Sequence, residues 1–341
     1  MTTTTHGAGT ESRPPTTKAR TRSDSRRAAE RLAYTLISPT FIVLALIVAY
    51  PIFAAIRQSF YGAAGLDEQT GFVSDTEPFI GLRNFTDIFQ GATSTRFWNA
   101  FWNTTFFTVT TVTVETVLGV AMALIMHQAF KGRALVRASI LVPWAIPTAA
   151  SAILWGWIFN ADGVANAILP GDPILWTSEG FQAKLAVIIA DTWKTAPFIG
   201  LLVLAGLQVI SEDIYEAARV DGAGTIRRFT SITLPLVKPA LLVAVLFRLL
   251  DALRMFDLPY ILIGPRKKTA ETLSMLVQDE ASNLRYGSAA AYGIILFIYL
   301  FGIAYVFVTL LGADVLGDRD ERKQIVKANR ARRRLAKGVP A

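Results

Sequence analysis

Six long apolar segments constrain this chain more than any other feature of its sequence. A helix needs about 20 apolar residues to cross the hydrocarbon core of a bilayer. Only 18% of the residues are charged, against about 25% in a soluble domain. We therefore predict an all-α, polytopic membrane protein with six transmembrane helices. They are expected over Leu32–Ile56, Phe101–His127, Leu135–Phe159, Leu185–Ile210, Leu236–Ile263 and Ala289–Leu311.

The composition excludes several classes of function. The chain has no cysteine, which excludes a disulfide framework and cysteine-based metal or redox sites. Its two histidines, His6 and His127, are too far apart to suggest a histidine metal cluster. A net charge of +8 could indicate nucleic acid, but the basic residues crowd beside the apolar segments, as they do next to membrane spans. We expect a lipid bilayer as the environment and no nucleic-acid partner.

The distribution of Lys and Arg predicts the topology. Segments on the side of the N-terminus hold 23 of them, and the loops on the opposite side hold 7. Because cytoplasmic loops carry an excess of Lys and Arg, both termini are predicted to be cytoplasmic. The predicted parts are a disordered basic segment (residues 1–31), a six-helix transmembrane domain (residues 32–312) and a basic C-terminal tail (residues 313–341).

The predicted cytoplasmic loop at residues 211–235 has an unusual pattern. Ser211 is a plausible N-cap for a short helix to about Val220. Gly222 and Gly224 then allow a turn, because glycine accepts left-handed backbone angles, and a second helical stretch leads to Pro235. Its residues alone allow either an ordinary amphipathic loop or a surface that docks on a partner protein.

The same loop resembles the EAA motif of the permease subunits of bacterial ABC importers. Glu216-Ala217-Ala218, three residues, Gly222, nine residues, Ile232, one residue and Leu234-Pro235 agree with it at every fixed position. The resemblance implies a type I ABC importer permease fold in the bacterial plasma membrane and a helix that couples the subunit to an ATPase. The implied ATPase-docking residues are Glu216, Ala217, Ala218, Asp221 and Gly222.

The likeness extends from about Leu32 to Gly312 and is greatest to the carbohydrate branch, the MalF-like subunits. The stretches LVPWAIP, DTWKTAPF and LFRLLDALRMFDLPY are similar to the first permease subunit of actinobacterial trehalose importers. This resemblance implies a sugar substrate, trehalose or a related disaccharide. It also implies a second homologous permease subunit, a homodimer of ATPase subunits and an extracytoplasmic sugar-binding lipoprotein.

The chain itself contains no Gly-x-x-x-x-Gly-Lys-Ser/Thr motif, so no phosphate-binding loop is expected in it. ATP and Mg²⁺ would be bound by the partner ATPase subunits, and the chain would be non-catalytic with no cofactor of its own. An ion-coupled secondary transporter is the alternative, but such proteins usually carry internal repeats, and none is visible. A membrane-embedded enzyme is disfavoured because His and Cys are scarce.

Charged residues occur inside the predicted spans, where they are costly unless they face a cavity or a partner. Arg248, Asp251, Arg254 and Asp257 follow one another at intervals of three, so neighbours can meet on a helix. They could form an ion-pair ladder that stabilises the bundle, a polar strip along the substrate path, or both. Glu115 in the second span is a further carboxylate that could pair with a cation on another span.

Prolines mark the third and fourth spans. Pro143 and Pro147 flank Trp144, and Pro197 follows Asp191, Trp193, Lys194 and Thr195. Proline removes a backbone donor, so we expect Pro197 to open its helix; the prolines of span three indicate either a packing kink or a binding region. In the maltose-type permease, which the chain resembles, the third, fourth and fifth spans contact the sugar. The resemblance thus implies substrate contacts at Trp144, Thr148, Lys194, Thr195, Phe198, Leu250, Asp251 and Arg254.

Overall fold

The computed structural model describes residues 22–63, 65–66, 73–74, 76–91 and 93–310. Most of the predicted N-terminal segment (residues 1–21) and the predicted tail (residues 313–341) therefore lie outside the described residues. Residues 22–31, for which disorder was predicted, form the beginning of a helix instead. The stretch RRAAER explains this difference, since Arg, Ala and Glu have high helix propensity.

The chain divides into two units, residues 1–55 and 56–341. The first unit holds helix α1 (Arg22–Leu44), a π-helical turn (Ala45–Ala49) and most of α2 (Tyr50–Gln58). The π turn directly precedes Pro51, whose ring would otherwise collide with a carbonyl of the preceding turn. Large apolar side chains along this helix are exposed, as a lipid-facing helix requires.

Where the structure describes it, the regular structure of the second unit is helical apart from one short hairpin and an isolated bridge between Tyr61 and Phe79. The hairpin pairs β1 (Gly65–Leu66) with β2 (Val73–Ser74) in antiparallel fashion. A π-helical turn at Phe229–Thr233 joins two of its helices, α10 (Thr225–Arg228) and α11 (Leu234–Leu253). The helices are α3 (Arg83–Gln90), α4 (Ser94–His127), α5 (Arg133–Ala145), α6 (Thr148–Ile158), α7 (Val164–Ala167), α8 (Phe181–Leu207), α9 (Glu212–Val220), α10 (Thr225–Arg228), α11 (Leu234–Leu253), α12 (Asp257–Leu262), α13 (Leu273–Ser282) and α14 (Tyr286–Leu310).

Five helical segments of the described residues are each long and apolar enough to cross a membrane. They are Glu30–Gln58, Ser94–His127, Phe181–Leu207, Thr225–Leu253 and Tyr286–Leu310. The predicted third span is not one continuous helix, because α5 and α6 meet at an angle of 98°. Ile146, the residue before Pro147, is extended, as the residue before a proline usually is. The bent pair provides the sixth span if it crosses as one unit.

The predicted fifth span was wrong at both ends. The helix begins earlier, at Thr225, and ends at Leu253, ten residues before the expected Ile263. Residues 254–256 leave the helix, and α12 starts at Asp257. Pro259 explains why the apolar run 258–263 belongs to a new helix, since proline is tolerated in the first turn of a helix and disrupts its interior.

Helix α8 lies at the centre of the second unit, against α4, α5 and α11. It continues through Pro197 without a break, so the predicted opening of this span was wrong. Surrounding helices can compensate for a proline inside a membrane span. Gly119 of α4 and Gly200 of α8 bring these two helices together, because a Cβ on Gly119 would come within 2.7 Å of Ile199. Small residues at helix contacts are typical of membrane bundles.

Candidate functional site

Two adjoining cavities lie where α5, α6, α8 and α11 meet. Their volumes are about 270 Å³ and 260 Å³. Four residues line both cavities: Thr195, Arg248, Asp251 and Arg254. Because the two spaces share these walls, they form one polar depression in the membrane part of the chain.

Seven of the eight residues predicted to contact substrate line these cavities. The first cavity adds Thr148 and Lys194 to the shared set, and the second adds Trp144 and Phe198. Leu250 is the exception, since it lines neither cavity and lies half-buried on α11. The resemblance to the maltose-type permease implies this position by sequence alone and carries no information on the face of α11 that Leu250 occupies.

Sequence reasoning missed part of the cavity wall. Residues 255–258 line the first cavity because α11 ends at Leu253 and the chain turns across its mouth. That break was not predicted, so Met255, Phe256 and Leu258 were not expected here. Asp257 was expected as a member of the polar strip along the substrate path, and it lines the first cavity together with the other three members of that strip. Phe247 lines the second cavity, and its position next to Arg248 was the one signal that could have identified it.

An aromatic pair forms one side of the depression. The rings of Trp144 and Phe198 lie 5.8 Å apart between centroids and are inclined by 30°. Trp144 is 44% exposed, so its ring faces the open space. The same cavity is lined by Asp251 and Arg254, whose side chains are 56% and 69% exposed and lie 3.6 Å apart. The ammonium of Lys194 also lines the wall and makes no hydrogen bond or ion pair within the described chain.

A buried ionic network lies behind this wall. The Arg248 guanidinium donates from Nε to Oε2 of Glu115 at 2.5 Å and from Nη2 to Oε1 at 3.1 Å. It also donates to Asp191 on α8 and, from Nη1, to Oδ2 of Asp251 at 3.1 Å. The Thr195 hydroxyl donates to Oε1 of Glu115 at 2.6 Å. The predicted pairing of Glu115 with a cation on another span is confirmed.

The predicted ladder of four charges is only partly present. Arg248 pairs with Asp251, and Asp251 pairs with Arg254. The described residues contain no pair between Arg254 and Asp257. Helix α11 ends before Arg254, so the spacing of three no longer places these two side chains on one helix face.

The loop between α8 and α11 has the predicted helix and turn. The Ser211 hydroxyl accepts from the amide of Asp213 at 3.4 Å and caps α9, and Gly222 has φ +73°. Gly224 has a negative φ, so the turn depends on Gly222 alone. Among the predicted docking residues, Ala218 is buried against its own chain. The exposed members are Glu216, Ala217, Asp221 and Gly222.

The family of the chain follows from its comparison with known proteins. Residues 115–322 match the profile of the family described as "Binding-protein-dependent transport system inner membrane component". The chain belongs to this family. Its members are the non-catalytic membrane permease subunits of ABC importers, so the chain is a multi-pass membrane permease.

Two relatives are similar over most of their length. The trehalose/maltose transport system permease protein MalF of Thermococcus litoralis is 38% identical over 82% of this chain and 92% of its own. The trehalose transport system permease protein SugA of Mycobacterium tuberculosis is 36% identical over 87% of this chain and 94% of its own. The chain therefore matches nearly the full length of both relatives.

A solved structure shows the same fold. A chain of the bacterial alginate ABC transporter, solved in complex with an alginate pentasaccharide-bound periplasmic protein, superposes with a TM-score of 0.71. The match covers 86% of this chain and 97% of that one at 23% identity. The predicted ABC importer permease fold is confirmed.

Proposed function

We propose that this chain is the permease subunit of an ATP-driven sugar importer and forms half of its translocation path. Trehalose is the first choice of substrate, since two relatives with at least 36% identity carry it in their names. Maltose-type oligosaccharides and glycerol phosphate follow. The observation that carries the proposal is that an aromatic pair and exposed charged groups line one depression among the spans.

This combination suits a sugar. The faces of Trp144 and Phe198 can cover the apolar side of a pyranose ring. Asp251 can accept hydrogen bonds from sugar hydroxyls, and Arg254 and Lys194 can donate to them. Hydrogen bonds with one ionised partner are roughly twice as strong as neutral ones. Thr148 supplies a further hydroxyl at the wall of the first cavity.

The loop carrying α9 is the proposed contact with the ATPase. Glu216 and Arg219 are exposed on one face of α9 and lie 3.7 Å apart. Val220 and Ile226, on either side of the Gly222 turn, are more than four-fifths exposed. Exposed aliphatic side chains next to charged residues are suited to binding in a groove of a partner protein. Tyr215 contacts Thr233 at 3.2 Å and ties α9 to the helical run that continues into α11, so movement at the loop would reach the cavity wall.

The complete importer needs partners. A second homologous permease would supply the other half of the path, and an extracytoplasmic sugar-binding lipoprotein would deliver the sugar. An ATPase homodimer would bind ATP and Mg²⁺. Its closure would move the docked α9 loop and shift the spans between inward-facing and outward-facing states. We assign the chain to a bacterial plasma membrane with both termini cytoplasmic, on the strength of its Lys and Arg distribution.

Reconstitution tests this function. The complex with its second permease, ATPase and binding protein is placed in proteoliposomes, and uptake of labelled trehalose is measured with ATP supplied to the ATPase side. Uptake that requires ATP and the binding protein is the expected result. Uptake by the chain alone, driven by a proton gradient, would identify an ion-coupled secondary transporter instead. Removal of the α9 loop should abolish both ATPase association and import.

A further inference from the structure

The geometry points to Glu115 as a positioning residue for substrate recognition, acting on the cavity through Arg248. This inference rests on the proposed function, because it concerns the affinity of the same cavity for its sugar. It assigns a role to a side chain that lines neither cavity.

Glu115 cannot touch a substrate. Its side chain is fully buried, with 0% exposed, and its two oxygens already receive three hydrogen bonds. Arg248 supplies two of them and Thr195 supplies the third. Whatever Glu115 contributes to transport must therefore pass through these two neighbours.

Both neighbours belong to the cavity wall. Thr195 and Arg248 line both cavities. The hydroxyl of Thr195 also contacts the backbone carbonyl of Asp191 at 2.6 Å. The single proton of this hydroxyl has two acceptors within reach, so Glu115 orients Thr195 only together with that carbonyl. The guanidinium plane of Arg248 is held by the two oxygens of Glu115, with Asp191 as a further acceptor.

Arg248 then fixes Asp251. Its Nη1 donates to Oδ2 of Asp251 at 3.1 Å, on the opposite side of the guanidinium from the Glu115 contacts. Oδ1 of Asp251 faces the exposed Arg254. Because a guanidinium is planar and rigid, holding two of its nitrogens on Glu115 sets the place of the third. These contacts form a relay that runs from Glu115 on α4 through Arg248 to Asp251. Asp251 is the exposed carboxylate that is proposed to accept hydrogen bonds from the sugar.

A purely structural role is the competing explanation. A buried charge pair that loses one partner is strongly destabilising, so reduced transport alone would not distinguish the two. The affinity for substrate does distinguish them, since a structural role changes the amount of assembled complex and its melting temperature but not the KM of the complexes that remain.

The experiment compares variants in the reconstituted complex and measures KM and Vmax for trehalose, basal ATPase activity and melting temperature. Glu115→Gln keeps the shape and removes the charge. Glu115→Asp keeps the charge but moves the carboxylate back by one methylene. It therefore tests the position of the carboxylate, and it can be used if the Glu115→Gln complex does not assemble. Glu280→Gln is the matched control: Glu280 is a buried carboxylate paired with Arg285 at 2.7 Å, and it lines neither cavity.

The expected result is a rise in KM of about tenfold for Glu115→Gln and for Glu115→Asp, the size of one lost charge-assisted hydrogen bond. Glu280→Gln should leave KM unchanged. Asp251→Asn should raise KM as well, and its combination with Glu115→Gln should raise KM by less than the product of the single effects, because both changes interrupt one relay.

An unchanged KM in whichever Glu115 variant assembles overturns the inference. So does a double variant whose KM equals the product of the single effects. A wild-type complex that imports no trehalose contradicts the substrate proposed above; the same KM comparison is then made with maltose, so that the two failures are separated.

Discussion

The indole of Trp144 and the phenyl ring of Phe198 face each other across two helices, 5.8 Å apart and inclined by 30°. Trp144 lies in α5, two residues before the bend at Ile146, and Phe198 lies one residue after Pro197 in α8. The bend in one span and the uninterrupted course of the other bring these rings together at the edge of the cavity.

Removal of either ring should weaken sugar binding. We expect Trp144→Ala and Phe198→Ala to raise the KM for trehalose uptake by about tenfold, because an aromatic face that covers a sugar ring is lost. Trp157→Ala is the control, since Trp157 is 72% exposed and lines neither cavity. Equal increases in all three variants would argue against a specific aromatic platform.

The α9 loop should be needed for coupling and not for folding. Glu216→Ala removes an ion pair whose two side chains are both more than half exposed, and such pairs contribute about 0–1 kcal/mol to stability. We expect an unchanged melting temperature of the isolated subunit together with loss of ATPase association, measured by copurification. Lys131→Ala, an exposed change in the loop between α4 and α5, should retain the ATPase. Full retention of ATPase and import by Glu216→Ala would contradict the docking proposal.

Close packing of α4 on α8 should not tolerate one added methyl group. A Cβ at Gly119 would lie 2.7 Å from the Cβ of Ile199 and 3.0 Å from a backbone oxygen. We expect Gly119→Ala to lower the melting temperature, at an overpacking cost of about 1–3 kcal/mol. Gly302→Ala adds the same group where nothing lies within 4 Å and should be neutral. A melting temperature of Gly119→Ala equal to that of Gly302→Ala would refute this packing argument.

A carboxylate outside the spans should make stability depend on pH. Burial alone would raise the pKa of Asp279, but hydrogen bonds from Arg96 and Arg266 hold that pKa below its usual value. A lowered pKa stabilises the folded state at all pH values above the ordinary pKa of about 4, and this contribution disappears as pH falls through the folded-state pKa.

Asp279→Asn should therefore lower the melting temperature at pH 7. The difference from the wild type should shrink as pH falls below about 4, and it should vanish once pH passes the lowered folded-state pKa, where the wild-type carboxylate also becomes neutral. Thermal unfolding of the purified subunit at both pH values checks this. A difference that stays constant with pH would mean that Asp279 acts through its shape and not through its charge.

The sequence predicted the spans from length and hydropathy alone, and the helix in the 211–235 loop from its N-cap Ser211. It did not predict the end of α11, because the apolar run from Leu258 to Ile263 has the composition expected of a continuing span. Only the position of Pro259 hinted that a second helix begins there. Pro197 predicted an opening of the helix that is absent, because packing against three neighbouring helices keeps α8 continuous at this residue.

The sequence predicted most of the residues that line the candidate site, but it did not predict which of them contact one another. Arg248 was expected to pair along its own helix, with Asp251, and it does. Its contacts with Glu115 and Asp191 cross to other helices, and nothing in local spacing reveals such pairs. Ala218 shows the same limit, because the motif marks it as a docking residue whereas its burial depends on how α9 packs against its own chain.

The order of synthesis gives the buried network a consequence for biogenesis. Arg248 follows Glu115 by 133 positions and Asp191 by 57, so both carboxylates enter the membrane before their cation has left the ribosome. Neither carboxylate meets its cation until α11 inserts beside α4 and α8. Chains that stop short of this helix would keep two buried carboxylates without their cation, which is costly inside a membrane, so the network is complete only once α11 is in place.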